Sequence, residues 1–347
     1  MSEPIGVAVI GAGYWGRNLV RNFMASDEFV LVWLCDLDYG AAQRVLGKYS
    51  TVKVTSSVPE VLQDPAVQAV VITTPAASHR QLALDALAMG KHVLVEKPLA
   101  DDVDGGRQIV DKAKECGLTL MVDHTYCYTP PVNYIRGLVR SGELGDFTYM
   151  DSVRINLGLV RRDVDVIWDL APHDFAILTA LLPKGVRPTA VTALGVDPLG
   201  IDHNYVAYLT VELSNGATAH IHDSWYSPIK VRTVMVGGSR RTVVWNDLDP
   251  NAPLSIYDSS PDLAPGVGVS EAPEGALTIP LRQGGMSAPA LESTEALAKV
   301  VAEFARAIVS GDAPLTDGAA GLEVLQLLEA ASRSAAEGGT RIEMEKL

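Results

Sequence analysis

An aspartate and a histidine four residues apart, in the stretch VIWDLAPHDFAIL, have the side chains needed for proton transfer. At this spacing Asp169 and His173 would lie one turn apart on the same side of a helix. An imidazole with an ordinary pKa of about 6.5 accepts or donates a proton at neutral pH. If the helix begins near Asp169, its positive end favours the uncharged ring of His173. A simpler interpretation stays open, in which Asp169 and Pro172 only start the helix and His173 is a satisfied core histidine.

A glycine-rich turn near the N-terminus indicates a dinucleotide site. The apolar run IGVAVI precedes Gly11-Ala12-Gly13-Tyr14-Trp15-Gly16, and apolar residues then recur at helical spacing. The glycines match G-x-G-x-x-G, in which Gly11 makes the tight turn and Gly13 lets a pyrophosphate approach the backbone. Gly16 lets the helix pack on the strand, and the phosphates would bind at the helix N-terminus. We therefore expect the cofactor to contact this turn, including Tyr14 and Trp15.

A second apolar strand, FVLVWLCDLD, indicates which dinucleotide is bound. It ends at Asp36, about 20 residues after the glycine-rich turn, where an acidic side chain accepts from the ribose hydroxyls of NAD and repels the extra phosphate of NADP. Asp38 adds to the repulsion, and no arginine or lysine directly follows Asp36. The sequence therefore favours NAD over NADP. The alternative is that Asp36 is only a turn residue at the end of a strand.

Strands and helices continue to alternate through the first third of the chain, which predicts a Rossmann-like α/β fold with a doubly wound parallel sheet. Ligands bind beyond the carboxyl ends of the strands in such a sheet. We assign residues 1–123 to an NAD-binding domain. The residues expected at these strand ends are Thr73, Thr74, Pro75, Glu96, Lys97, Pro98, Asp123 and His124.

The remaining residues, 124–347, are predicted to form an α+β substrate-binding domain with a large open, mainly antiparallel sheet. Asn215-Gly216 is a strong hairpin signal and Gly237-Gly238 a weaker one. A helix is expected from Asp169 to Leu182, and a Pro-, Gly- and Ser-rich loop at about 258–275 is predicted to be mobile. The C-terminal helix is expected to pack back on the first domain. Because one sheet face needs cover, we expect a homodimer or homotetramer through the open sheet.

Composition excludes several classes of protein. A formal net charge of −14 disfavours nucleic acid and anionic membrane surfaces as partners. No apolar run approaches the length of a membrane span, and the N-terminus lacks the pattern of a signal peptide. The three cysteines are odd in number and widely spaced, so they predict a cytoplasmic protein without disulfides. His220 and His222 alternate on one strand without a third ligand nearby, so no metal site is expected.

Four motifs together resemble the glucose–fructose oxidoreductase/inositol dehydrogenase (Gfo/Idh/MocA) family across essentially the whole chain. They are the glycine-rich turn, Thr74-Pro75 with His79, Glu96-Lys97-Pro98 and Asp169-x-x-x-His173. The stretches GAGYWGRNLVRNF, VDHTYCYTP and WDLAPHD look most like bacterial nucleotide-sugar dehydrogenases or ketoreductases.

This resemblance implies a role for each matching residue. Lys97 matches the active-site lysine, His173 the acid/base histidine and Asp169 its acidic partner. The residues that match the loop beside the cofactor are Thr73, Thr74, Pro75 and His79. Glu96 matches the residue near the nicotinamide ribose. Some relatives carry Tyr where this chain has His173, which leaves the sugar open.

The expected function is transfer of a hydride between NAD and a secondary ring hydroxyl, or the matching ketone, of a nucleotide-linked sugar. Arg154, Arg161 and Arg162 could receive a substrate phosphate or carboxylate, or could form a solvated loop. His124 fits the core as well as it fits contact with substrate. Two alternatives remain: a dehydrogenase of a free sugar or polyol such as inositol, and a non-catalytic NAD-binding regulator.

Overall fold

The computed structural model describes residues 3–47, 50–158, 160–161, 164–201, 203–258 and 284–344, together with four two-residue strands between 260 and 282. The chain forms two compact units, residues 1–129 with 294–326 and residues 130–293 with 327–347. The first unit therefore includes a segment from the C-terminal part of the chain. No helix among the described residues is long and apolar enough to cross a membrane.

The first unit contains a six-stranded parallel sheet in the order β3-β2-β1-β4-β5-β6, which confirms the predicted doubly wound fold. Its strands are β1 (Ile5–Ile10), β2 (Phe29–Cys35), β3 (Lys53–Thr55), β4 (Ala69–Ile72), β5 (His92–Glu96) and β6 (Leu120–Asp123). Its helices are α1 (Tyr14–Met24), α2 (Tyr39–Leu46), α3 (Val58–Gln63), α4 (His79–Ala88), α5 (Val103–Cys116), α8 (Ala296–Ser310) and the first part of α9 (Gly318–Ala336). Every residue of β1 and β4 is buried, as expected for strands covered on both faces.

The second unit contains a nine-stranded sheet in the order β18-β13-β12-β11-β7-β10-β9-β8-β19. Its strands are β7 (Phe147–Leu157), β8 (Pro188–Val196), β9 (Val206–Leu213), β10 (Thr218–Ser224), β11 (Tyr226–Gly238), β12 (Thr242–Asn246), β13 (Leu254–Tyr257), β18 (Met286–Ser287) and β19 (Ile342–Glu343). Two separate pairs join β14 (Ser260–Pro261) to β17 (Leu281–Arg282) and β15 (Ser270–Glu271) to β16 (Leu277–Thr278). The large sheet is antiparallel except for the pair β7–β10, which confirms the predicted mainly antiparallel sheet.

Of the two predicted glycine-containing hairpin turns, one lies at the predicted position. Asn215 and Gly216 connect β9 to β10, and Gly216 has the positive φ of 86° that its turn requires. Gly237 and Gly238 instead end β11, so the turn into β12 lies at residues 239–241. Most of the loop predicted to be mobile, at about 258–275, lies outside the described residues.

One face of the large sheet carries the helix that contains His173. The helices of this unit are α6 (Pro130–Ser141), α7 (Val166–Leu181) and the end of α9. Helix α7 packs on β7, β9 and β10, where the side chains of Ala207, Leu209 and Val211 are buried. On the opposite face, Leu194 and Tyr208 are neighbours in the sheet and are 54% and 52% exposed.

The start of α7 corrects the expectation from the sequence. The helix begins at Val166 rather than near Asp169, and Asp165 caps it by accepting a hydrogen bond from the Trp168 N–H. Pro172 consequently lies inside the helix, where it cannot donate to the carbonyl of Trp168. His173 lies about two turns from the helix start, beyond the range in which the helix dipole acts strongly, so the predicted dipole effect on its ring is wrong.

Candidate active site

The glycine-rich turn has the close packing that its motif predicts. Gly11 has a φ of +108°, and the Oγ1 of Thr73 donates to its carbonyl oxygen at 2.9 Å. A Cβ on Gly16 would collide with the same carbonyl, so only glycine fits there. A Cβ on Gly13 would meet no atom within 4 Å, so the space beside its backbone is open. This open space is where a dinucleotide pyrophosphate would approach.

Asp36 is fixed beside this turn by two backbone donors. The N–H of Ala12 donates to its Oδ2 at 2.6 Å, and the N–H of Asp38 donates to its Oδ1 at 2.8 Å. Each carboxylate oxygen keeps a lone pair that can accept from a ribose hydroxyl. The Asp38 carboxylate caps α2 and lies 3.4 Å from the Arg44 guanidinium, so the nearest downstream cation is already paired. These residues fit NAD.

The position of Asp36 leads to a prediction about cofactor affinity. Asp36→Ala removes a charged acceptor of the ribose hydroxyls, so we expect the Kd of NADH to rise about 10- to 100-fold. The preference for NADH over NADPH should narrow, because the repulsion of the extra phosphate is lost. Titration of NADH fluorescence measures both constants. Asp111→Ala, at an exposed aspartate on α5 of the same unit, is the control. An Asp36→Ala protein that binds NADH like the wild type would exclude ribose contact.

His79 connects the loop after β4 to the segment after β5. Its ring is 1% exposed, with Nδ1 2.8 Å from the carbonyl oxygen of Pro98 and Nε2 2.7 Å from that of Thr74. Burial lowers the pKa of His79, while both carbonyl contacts oppose this change. The peptide bond between Lys97 and Pro98 is cis. These contacts favour a supporting role for His79 in the cofactor loop.

A buried polar cluster surrounds the half-buried Lys97 at the ends of β5 and β6. Glu96 and Asp123 are register neighbours, and their buried carboxyl groups lie within hydrogen-bonding reach of each other. Burial, followed by the charge of Asp123, raises the pKa of Glu96 well above its ordinary value, and burial raises the pKa of Asp123 to about 6. Burial and the nearby positive charge of Lys97 lower the pKa of His124 to about 3. The cluster therefore holds an uncharged imidazole beside an ammonium group.

His124 has an additional property that suits ligand contact. Its ring is 2% exposed, and neither ring nitrogen has a hydrogen-bond partner among the described residues. A buried polar atom without a partner costs free energy, so a bound molecule that supplies one would be favoured. This observation supports contact with a ligand over a purely structural role for His124.

In the second unit, Asp169 is held in a fixed position before His173. The Nε1–H of Trp225 donates to Asp169 Oδ2 at 3.1 Å, and the Nη1 of Arg161 lies 3.7 Å from Asp169 Oδ1. Trp225 is buried, whereas the Arg161 side chain is 47% exposed. His173 follows one turn later and is half-buried. A fixed carboxylate one helical turn before a half-buried imidazole is suited to proton transfer.

The three arginines that were candidates for binding a substrate anion do not share one environment. Arg154 is buried, and its Nε and Nη2 donate to the two carboxylate oxygens of Asp174 at 2.9 and 3.1 Å. This pairing favours a structural role for Arg154. Arg161 contacts Asp169 as described, and Arg162 lies outside the described residues.

Sequence reasoning did not identify several residues that support this site. Asp165 caps α7, Trp225 holds Asp169, and Asp174 anchors α7 on β7. Asp223 was also missed, although a signal was present in AHIHDS. Asp223 lies two residues after Ile221 and four after Ala219, so all three side chains share the buried face of β10. An aspartate on the buried face could therefore have been expected. Among the described residues, no group of three or more His, Cys, Asp or Glu side chains could hold a metal ion.

The parallel sheet, the glycine-rich turn and Asp36 define an NAD-binding fold, and comparison with known proteins shows similarity to oxidoreductases. Residues 5–124 match the family model described as "Oxidoreductase family, NAD-binding Rossmann fold" (GFO_IDH_MocA). The first unit is thus similar to the Gfo/Idh/MocA oxidoreductases, and this similarity confirms both the resemblance and the predicted NAD cofactor.

Three similar proteins extend the match beyond the first unit. UDP-N-acetylglucosamine 3-dehydrogenase of Acidithiobacillus ferrooxidans is 28% identical over 324 residues, covering 91% of this chain and 93% of that enzyme. Inositol 2-dehydrogenase of Rhizobium meliloti is 26% identical over 338 residues, covering 95% and 96%. The crystal structure of GenD2 from gentamicin A biosynthesis, in complex with NAD, has a TM-score of 0.80 at 26% identity and covers 100% of this chain and 98% of GenD2.

Proposed function

We propose that the protein is an NAD-dependent dehydrogenase, or the matching ketoreductase, that acts on a secondary ring hydroxyl of a nucleotide-linked sugar. The observation that carries this proposal is the half-buried His173 one turn after a carboxylate held by Trp225 and Arg161. The similarity to a UDP-N-acetylglucosamine 3-dehydrogenase over nine-tenths of the chain supports the nucleotide-sugar class.

In this proposal three side chains take part in oxidation. His173 accepts the proton of the reacting hydroxyl. Asp169 orients the imidazole or binds a neighbouring hydroxyl, and Lys97 donates a hydrogen bond to the reacting oxygen, where it stabilises the developing negative charge. NAD, when bound, accepts the hydride from the substrate carbon. In reduction, protonated His173 or Lys97 returns the proton to the oxygen.

Arg161 is the residue that favours a nucleotide sugar over a free one. Its guanidinium is about half exposed and lies at Asp169, so we propose that it contacts a substrate phosphate, together with Arg162. Arg154 was part of the same predicted cluster, but its burial on Asp174 argues for a supporting role.

We also propose that two or four copies associate through the open face of the large sheet, as a homodimer or homotetramer. Leu194 and Tyr208, side by side on this face, support an apolar contact with a second copy. The cysteines are free in the structure, which suits the reducing cytoplasm as the location.

A substrate panel tests the proposed activity. We expect NADH to form from NAD with UDP- or dTDP-linked sugars, and not with inositol or free sugars. Arg161→Glu should raise the KM for the nucleotide sugar about tenfold or more, because it replaces an attractive charge by a repulsive one. Arg187→Glu, an exposed arginine of the same unit, is the matched control.

The two alternative functions give different outcomes in the same experiment. Turnover of inositol, with a KM that Arg161→Glu leaves unchanged, would favour a polyol dehydrogenase. The similarity to inositol 2-dehydrogenase is the observation that supports this alternative. NADH binding without turnover of any sugar, and a cellular function unaffected by Lys97→Ala, would favour a regulator.

A further inference from the structure

Asp223 is a fully buried carboxyl group behind the helix that carries His173. It lies on β10 with 0% exposure, opposite Ala207 of β9 and Arg154 of β7 in the sheet register. Neither carboxylate oxygen accepts a hydrogen bond from an N–H or O–H donor among the described residues. A buried carboxylate without donors would be costly, so its protonation state requires an explanation.

The surrounding charges favour a proton on Asp223. Asp174 of α7 is the anion of the pair, since it accepts from the Oγ of Ser152 at 2.6 Å and from two guanidinium nitrogens of Arg154. The carboxyl group of Asp223 is within hydrogen-bonding reach of Asp174, and Asp169 adds a further negative charge from α7. One buried guanidinium cannot compensate two adjacent buried carboxylates.

A proton on Asp223 accounts for both the missing hydrogen-bond donors and the second buried negative charge. It removes the uncompensated charge and makes Asp223 a donor to Asp174, as in other carboxyl pairs that share one proton. Burial, followed by the charge of Asp174, raises the pKa of Asp223 well above its ordinary value, and the opposing effect of Arg154 is smaller. The groups that face Asp223 are therefore Arg154 from β7 and Asp169 and Asp174 from α7, whereas β9 contributes the uncharged Ala207.

We propose that Asp223 stays protonated at neutral pH, donates a hydrogen bond to Asp174 and serves as a positioning residue for α7. The helix carries Asp169 and His173, so the pair Asp174–Asp223 fixes the segment from which proton transfer occurs. An ionised Asp223 would add a negative charge near Asp169 and loosen the contact between α7 and β10. The link to catalysis rests on the proposed function, whereas the protonation of Asp223 does not.

Infrared difference spectroscopy of the full-length protein tests the protonation directly. At neutral pH the wild type should show the carbonyl stretch of a buried protonated carboxylic acid. Asp223→Asn should remove a component of this band, because the amide keeps a donor but lacks the acid. Asp151→Asn, on the opposite face of β7, is the control and should leave the band unchanged. A band that is absent from the wild type, or unaltered in Asp223→Asn, would overturn the proposal.

The pH dependence of stability gives a second test without substrate. An acid whose pKa is raised on folding stabilises the folded state at low pH, and this contribution is lost as the pH rises above about 4, where an unfolded aspartate ionises. The Tm of Asp223→Asn, measured relative to the Tm of the wild type, should therefore increase as the pH rises. A difference that is independent of pH would contradict a raised pKa.

The positioning role is tested by kcat once a substrate is known. Asp223→Asn, which can still donate to Asp174, should retain more of the wild-type kcat than Asp223→Ala and should extend activity to more alkaline pH. Equal losses in the two variants, with an unchanged pH profile, would exclude the positioning role. Because the infrared and stability measurements need no turnover, they separate a failure of this proposal from a failure of the proposed function.

Discussion

Replacement of His173 by Gln is expected to lower kcat by about 10²- to 10⁴-fold, the usual contribution of a general acid or base. The variant removes the group that accepts the proton and keeps a polar side chain of similar size on α7. The Kd of NADH should change little, because the residues that fit the cofactor lie in the first unit. Steady-state rates with the accepted sugar, and NADH titration, measure the two effects.

The pH profile distinguishes a catalytic role of His173 from a structural one. In the direction of oxidation, kcat/KM of the wild type should fall as His173 becomes protonated at acid pH, and this limb should be lost in the variant. His220→Gln is the matched control, because His220 lies on β10 and is exposed on the face opposite to the one on which α7 packs. A His173→Gln enzyme with wild-type rates would remove this residue from the mechanism.

Replacement of Arg154 by Met is expected to lower the free energy of unfolding by about 3–5 kcal/mol, because it leaves Asp174 as a buried carboxylate without its cation. The side chain of Met approximates the length of the arginine stem, so lost packing contributes little. Urea unfolding, followed by the fluorescence of Trp225 and the other tryptophans, measures the change. Arg187→Met, an exposed control, should stay within about 0.5 kcal/mol of the wild type.

The double variant separates the ion pair from general damage to the core. Arg154→Met with Asp174→Leu removes both charges and should recover a large part of the lost stability, because the cost arises from the unpaired carboxylate. If the single variant is as stable as the wild type, the Arg154–Asp174 pair does not anchor α7.

The parts of the fold that could be predicted from sequence depend on local patterns. The glycine-rich turn, the apolar strands and Asn215-Gly216 each determine their own backbone, so the parallel sheet and the hairpin followed from them. The family motifs identified Lys97, Asp169 and His173 as candidates because their order and spacing are informative without a structure.

Features decided by distant contacts could not be predicted. The sequence pointed to Asp169 as the possible cap of α7, whereas Asp165 caps it and is held there by Asn204, whose amide donates to Asp165 at 2.8 Å. Likewise, an arginine such as Arg154 usually lies in solvent, and only the position of Asp174 explains its burial. Such partners are separated by 20 to 39 residues in the chain, so the helix and strand periods of a sequence cannot predict these contacts.

The parallel pairing of β7 with β10 also has a consequence for the order of folding. Strand β7 lies between β10 and β11, both of which come later in the chain, so it cannot complete its hydrogen bonds when it is first synthesised. Contacts of such long sequence separation form slowly. The contacts of α7 with Asp223 and Trp225 can therefore form only after β10 and the residues that follow it have been synthesised, and His173 acquires its final surroundings only then. A chain truncated before β10 would contain every family motif and still lack a formed proton-transfer site.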